Sequence, residues 1–83
     1  MPYIKQESRG KFDNVLNQID HIETKGELEY CISKLMKIYM KDKRFCYSHL
    51  HDTTYAAIHC GDEFRRRNLD KREDTAIEEN GDI

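Results

Sequence analysis

At 83 residues and 9.9 kDa the chain is one domain at most. By surface-to-volume scaling it buries only about 60% of its unfolded surface, which excludes a large internal substrate cavity. Charged residues make up 36%, hydrophobic residues 37%, and mean hydropathy is −0.92, yet periodic apolar stripes argue against disorder. A net charge of −2 excludes a generally basic nucleic-acid binder, so duplex nucleic acid is not an expected partner. No apolar run approaches the ~18 residues of a membrane span. The start, Met1-Pro2-Tyr3-Ile4-Lys5, carries no apolar leader, and three unevenly spaced cysteines do not pair off as internal disulfides. A cytoplasmic, reducing location is therefore expected.

In chain order, the first predicted helix runs from about Arg9 to Ile22. Phe12, Val15, Leu16, Ile19 and Ile22 share one face at helical spacing, and Ser8 is the expected N-cap. Thr24-Lys25-Gly26-Glu27 then has the capping-box pattern and opens a second helix, from about Lys25 to Lys43. Its core stripe is read as Leu28, Cys31, Ile32, Leu35 and Tyr39. Ile38, Met36 and Met40 widen the apolar arc to roughly 200°. Two neighbouring helices in so small a bundle do not cover that arc, so another subunit is expected at Met36 and Met40.

Residues 44–48 read as a connector. Ser48 or Asp52 is expected to cap a third helix, from about His49 or Thr53 to Arg67. Its stripe is Leu50, Thr54, Ala57, Ile58, Gly61 and Phe64. Small Ala57 and Gly61 permit close approach and complete the expected oligomer interface. No segment alternates with period two, so no strand is expected. Residues 70–83 carry two basic and six acidic groups and read as a loose, solvated acidic tail.

Four constellations invite chemistry. Cys46, His49, His51, His59 and Cys60 include a zinc-like Cys-x-x-His spacing. However, adjacent His59 and Cys60 point about 100° apart on a helix, so neither a metal nor a cofactor is expected. A Cys/His nucleophile pair would need an orienting group and a cleft that this length does not supply alone. Arg65-Arg66-Arg67 can bind an anion, against the competing reading that Asp62–Arg66 and Glu63–Arg67 are local i, i+4 pairs. Lys34, Lys37 and Lys41 line one side of helix two. Tyr39 and Tyr55, with Arg65, form a possible stacking shelf for a base.

Met1-Pro2-Tyr3-Ile4, Gly26-Glu27-Leu28-x-Tyr30, Glu63-Phe64-x-Arg66-Arg67 and Glu78-Glu79-Asn80-Gly81-Asp82 together resemble a family of short, uncharacterised proteins of prokaryotes and their phages. Members carry a Pro-Tyr-Glu-Asp stretch after the double arginine, whereas residues 68–74 here contain no proline. The resemblance brings no activity. It implies an accessory, host-takeover or anti-defence role in the host cytoplasm, exerted by binding and blocking.

The expectation is an all-α, three-helix domain over residues 1–69 with an acidic tail over 70–83, assembling with itself. It is a non-enzymatic binding protein that sequesters an anionic ligand such as a nucleotide, through Arg65, Arg66, Tyr55 and Lys37, or blocks a host protein. The competing classes are a pure protein-interaction module and a metal-dependent nucleotide hydrolase. For the latter only Glu27, Glu29, Asp62 and Glu63 are candidates, and they sit at opposite ends of their helices.

Overall fold

A computed structural model describes residues 2–83. Met1, the first residue of the Met1–Ile4 motif, lies outside the described residues. Every regular element among the described residues is helical, and none is a strand. A 3-10 turn, Gln6–Ser8, leads into α1 (Gly10–Leu16); α2 spans Lys25–Met40; α3 spans Tyr47–Phe64. One π-helical segment, Arg65–Leu69, joins α3 to α4 (Asp70–Asn80) without a break. From Tyr47 to Asn80 this continuous rod measures about 51 Å at 1.5 Å per residue, which matches the longest dimension of the 51 × 32 × 29 Å molecule.

Thr24 caps α2 as its sequence dictates. The Glu27 amide donates to Thr24 Oγ1 at 3.1 Å, and Glu27 Oε1 accepts from the Thr24 amide at 3.3 Å and the Glu23 amide at 2.7 Å. At the other end Lys43 Nζ donates to the Tyr39 carbonyl at 3.0 Å and lies 3.8 Å above the Tyr39 ring. A cation is thereby set where the helix leaves its carbonyls free.

The other boundaries differ from expectation. Helix α1 ends at Leu16 rather than Ile22, because Gln18 and Ile19 take tight i−3 bonds to the Val15 and Leu16 carbonyls. Ser8 lies in the 3-10 turn, and the N-cap is Arg9, with no side-chain bond. Neither Ser48 nor Asp52 caps α3; Cys46 does, and its carbonyl accepts the Leu50 amide at 3.0 Å. Residues expected as a loose tail are helical to Asn80, although every one is exposed. Gly81 ends the helix at φ +89°, a conformation only glycine adopts without strain.

Among the described residues the only packing between helices distant along the chain is α2 against α3; α1 meets the 3-10 turn before it and none of α2, α3 or α4. Along the hairpin the least exposed positions are Cys31, Met36, Met40 and Lys43 on the α2 side and Cys46, His49, Thr53 and Ala57 on the α3 side. Thr53, 7% exposed, is the one buried residue among those described, and its hydroxyl donates to the His49 carbonyl at 2.7 Å. Among the described residues no apolar side chain is buried. Of the expected core stripes only Cys31 on α2 and Ala57 on α3 are half-buried; the other members are exposed. A compact monomer of this mass exposes about 5,200 Å², whereas the chain exposes 7846 Å². Its radius of gyration, 16.5 Å, likewise exceeds the roughly 12 Å of a compact chain of this length.

Candidate functional site

The outward side of α3 carries an aromatic ladder. Tyr47, His51, Tyr55 and His59 are four residues apart, a spacing that makes successive side chains neighbours on a helix. Ring centroids are 5.7 Å apart for Tyr47–His51, 4.4 Å for the stacked His51–Tyr55 pair and 6.1 Å for Tyr55–His59. The lower three rungs, with Pro2, Asp52 and Cys60, line an open cleft of about 400 Å³. Asp52 Oδ1 is 4.0 Å from His51 Nδ1. The N-terminal segment is held against the rod by Arg67, whose Nη1 donates to Tyr3 Oη at 2.9 Å. Sequence reasoning picked out Tyr55 and missed the ladder; the four-residue spacing of four rings was the available signal.

A second, shallower cleft of about 490 Å³ lies at the π segment, lined by His59, Asp62, Glu63, Arg65, Arg66 and Asp70. The ion pairs here are i, i+3 rather than i, i+4. Arg65 Nη2 is 3.6 Å from Asp62 Oδ1; Arg66 Nε and Nη2 both donate to Glu63 Oε1, at 3.1 and 2.5 Å. Arg67, expected to pair with Glu63, instead takes Tyr3. Three carboxylates thus face two guanidiniums, a balance that opposes anion capture. The π geometry has its own support: Asn68 Nδ2 donates to the Phe64 carbonyl at 3.1 Å, and the Asp70 amide reaches back five residues to Arg65.

The four residues expected to bind a ligand are therefore not gathered. Arg65 and Arg66 line one cleft, Tyr55 the other, and Lys37 neither. Nor does Tyr39, under Lys43, join Tyr55 and Arg65 in a shelf. Of the expected interface residues, Met36, Met40 and Ala57 are half-buried in the α2–α3 region of the same chain. Gly61 is exposed, with open space where a Cβ would stand.

The Cys/His cluster divides in the same way. Cys46 Sγ lies 3.3 Å from His49 Nδ1 and 3.4 Å from Ser48 Oγ, while His51, His59 and Cys60 line the aromatic cleft. Among the described residues no three His, Cys, Asp or Glu side chains are placed to hold one metal ion. His49 Nδ1 is also 2.8 Å from the Arg44 carbonyl. A carbonyl only accepts, so this nitrogen carries the proton and cannot act as base toward Cys46. The thiol is nevertheless lowered to about 7, by the Ser48 hydroxyl first and by the His49 backbone amide second, against partial desolvation.

No helix among the described residues is long and apolar enough to cross a membrane. A family model described as a domain of unknown function, DUF6899, matches residues 1–83. No curated protein and no solved structure matches the chain.

Proposed function

The chain belongs to the DUF6899 family, and from its geometry we propose a non-enzymatic protein-interaction module that acts by covering a surface. The single observation that supports this is the absence of any buried apolar side chain among the described residues. The chain exposes about 2,600 Å² more than a compact monomer of this mass, and its exposed large apolar side chains are surface a partner can cover. Sequestration of an anion is the weaker reading, since Arg65 and Arg66 already face Asp62 and Glu63. An accessory role that blocks a host component, as the phage resemblance implies, suits a protein that works by occupancy.

Native mass spectrometry of the protein purified from its own cells tests this reading. The expected spectrum holds masses of whole protein chains only. A stoichiometric nucleotide or other small anion, lost on Arg65→Ala, would replace it with the sequestration reading.

A further inference from the structure

We propose that two copies of this chain pair side by side and antiparallel, the acidic α4 of each lying on the lysine-bearing hairpin end of the other. This rests on the interaction reading above and names its partner. The rod is charged in opposite senses at its two ends. At the hairpin end, residues 34–46 carry five basic groups and one acidic, a net charge of +4. At the far end, residues 70–83 carry two basic groups and six acidic, a net charge of −4. The two ends balance each other, although the whole chain carries −2.

The ends do not neutralise each other within one chain. Helix α2 turns back at residues 41–46 and packs along α3, so Lys34, Lys37 and Lys41 lie in the half of α2 nearest Tyr47, where the rod begins. About 39 Å of helix separates Tyr47 from Glu73, several times the ~10 Å over which charges interact in ~0.1 M salt. Among the described residues α4 meets only the π segment that it continues. Neither the three lysines nor Glu73, Asp74, Glu78 and Glu79 enter an ion pair there. A helix of 11 residues with no packing partner is marginal in water, so α4 gains most from a neighbour.

The two faces match in length, pattern and charge. Lys34 to Lys41 covers about 10 Å of α2, and Glu73 to Glu79 about 9 Å of α4. At 100° per residue, exposed Tyr30 falls between Lys34 and Lys37 round α2, and exposed Ile77 between Glu73 and Asp74 round α4. Each face is thus an apolar side chain between two like charges, and the charges of one are opposite to those of the other. Surface ion pairs taken singly contribute little. Here each set surrounds an apolar centre, and two-fold symmetry makes the contact twice. Antiparallel rods set both contacts at once, because the two faces stand at opposite ends of the rod. An unrelated partner would need both charge patterns at the same separation; a second copy already carries them.

The test is the mass of the full chain by light scattering at low and high ionic strength. It compares wild type, Lys34→Glu/Lys37→Glu, Glu73→Lys/Asp74→Lys, and an equimolar mixture of the two double variants. Wild type is expected at twice the 9.9 kDa chain mass in low salt, moving toward the single mass as salt screens the ends. Each double variant alone is expected at the single mass. Their mixture is expected at twice that mass, since a reversed α2 then meets a reversed α4. Should a variant lose its helical signal, the salt response of the wild type decides alone. A wild type that is monomeric in low salt, or a pair indifferent to salt, would overturn the proposal. So would a double variant that pairs by itself, or a mixture that stays at the single mass. A mass that climbs steadily with concentration means head-to-tail chains of rods and overturns it too. A monomeric wild type that binds an apolar dye strongly leaves the interaction reading standing with a different partner; one that binds none removes both.

Discussion

Arg67 and Tyr3, 64 positions apart, join the N-terminal segment to the middle of the helical rod: the guanidinium donates to the phenol oxygen at 2.9 Å, and its carbon lies 5.8 Å from the ring centroid. The contact favours the charged guanidinium and ties the N-terminal segment to the π-helical joint. Tyr3→Phe removes the hydrogen bond and keeps the ring. We expect faster amide exchange at residues 3–5 and faster proteolysis of this segment, with little change in the unfolding midpoint. Unaltered exchange there would show that the segment is held by something else. The second tether, Arg9 Nε to the Ile4 carbonyl at 2.9 Å, stays intact in that variant.

Thr24 and Glu27 satisfy the first free amides of α2 reciprocally. Thr24→Ala should cost about 1 kcal/mol, the ordinary price of an N-cap, read as a shift in the denaturant midpoint at constant slope. Thr24→Ser should restore most of it.

For the thiol, the folded value of about 7 lies below the ordinary 9.0. Ionisation of Cys46 therefore favours the fold fully above pH 9, and that contribution fades as pH falls to 7 and below. Alkylation mapped by mass spectrometry should find Cys46 reacting before Cys31 and Cys60 at neutral pH, with a rate that titrates near 7. Ser48→Ala should move that midpoint upward. A Cys46 rate that titrates near 9 in wild type would contradict the geometry.

At the shallow cleft, Arg66→Ala should destabilise more than Arg65→Ala. Glu63 is only 13% exposed and loses its two hydrogen bonds, whereas Asp62 is 55% exposed and loses a pair that water replaces. Thermal unfolding of the two variants checks the order. Phosphate or sulfate should leave the wild-type midpoint unchanged; a rise abolished in the double variant would restore anion binding.

The parts of this fold that were legible in the sequence are those fixed by local chemistry. The Thr24/Glu27 box placed the start of α2 to the residue, because the cap is written within four positions. Helix α4 was also written there, in residues with no proline to break them and in Gly81 as a terminator. Its acidity outweighed that signal, although charge alone does not forbid a helix. The end of α1 was not legible, since its apolar face continues in spacing to Ile22 while the backbone stops at Leu16. A period says which side chains would share a face, not whether another element arrives to cover them. The same limit holds on α2, where Leu28, Ile32, Leu35 and Tyr39 of the core stripe are exposed, while Cys31 and the Met36–Met40 edge are half-buried. The gathering of Tyr3 to Arg67 across the whole chain has no local signature at all.

Native mass spectrometry of the protein purified from its own cells tests the central claim most directly. That claim is that another protein chain covers the apolar faces this chain leaves open. The account predicts an assembly of whole protein chains heavier than 9.9 kDa. A folded, helical species of 9.9 kDa with no protein bound would contradict it.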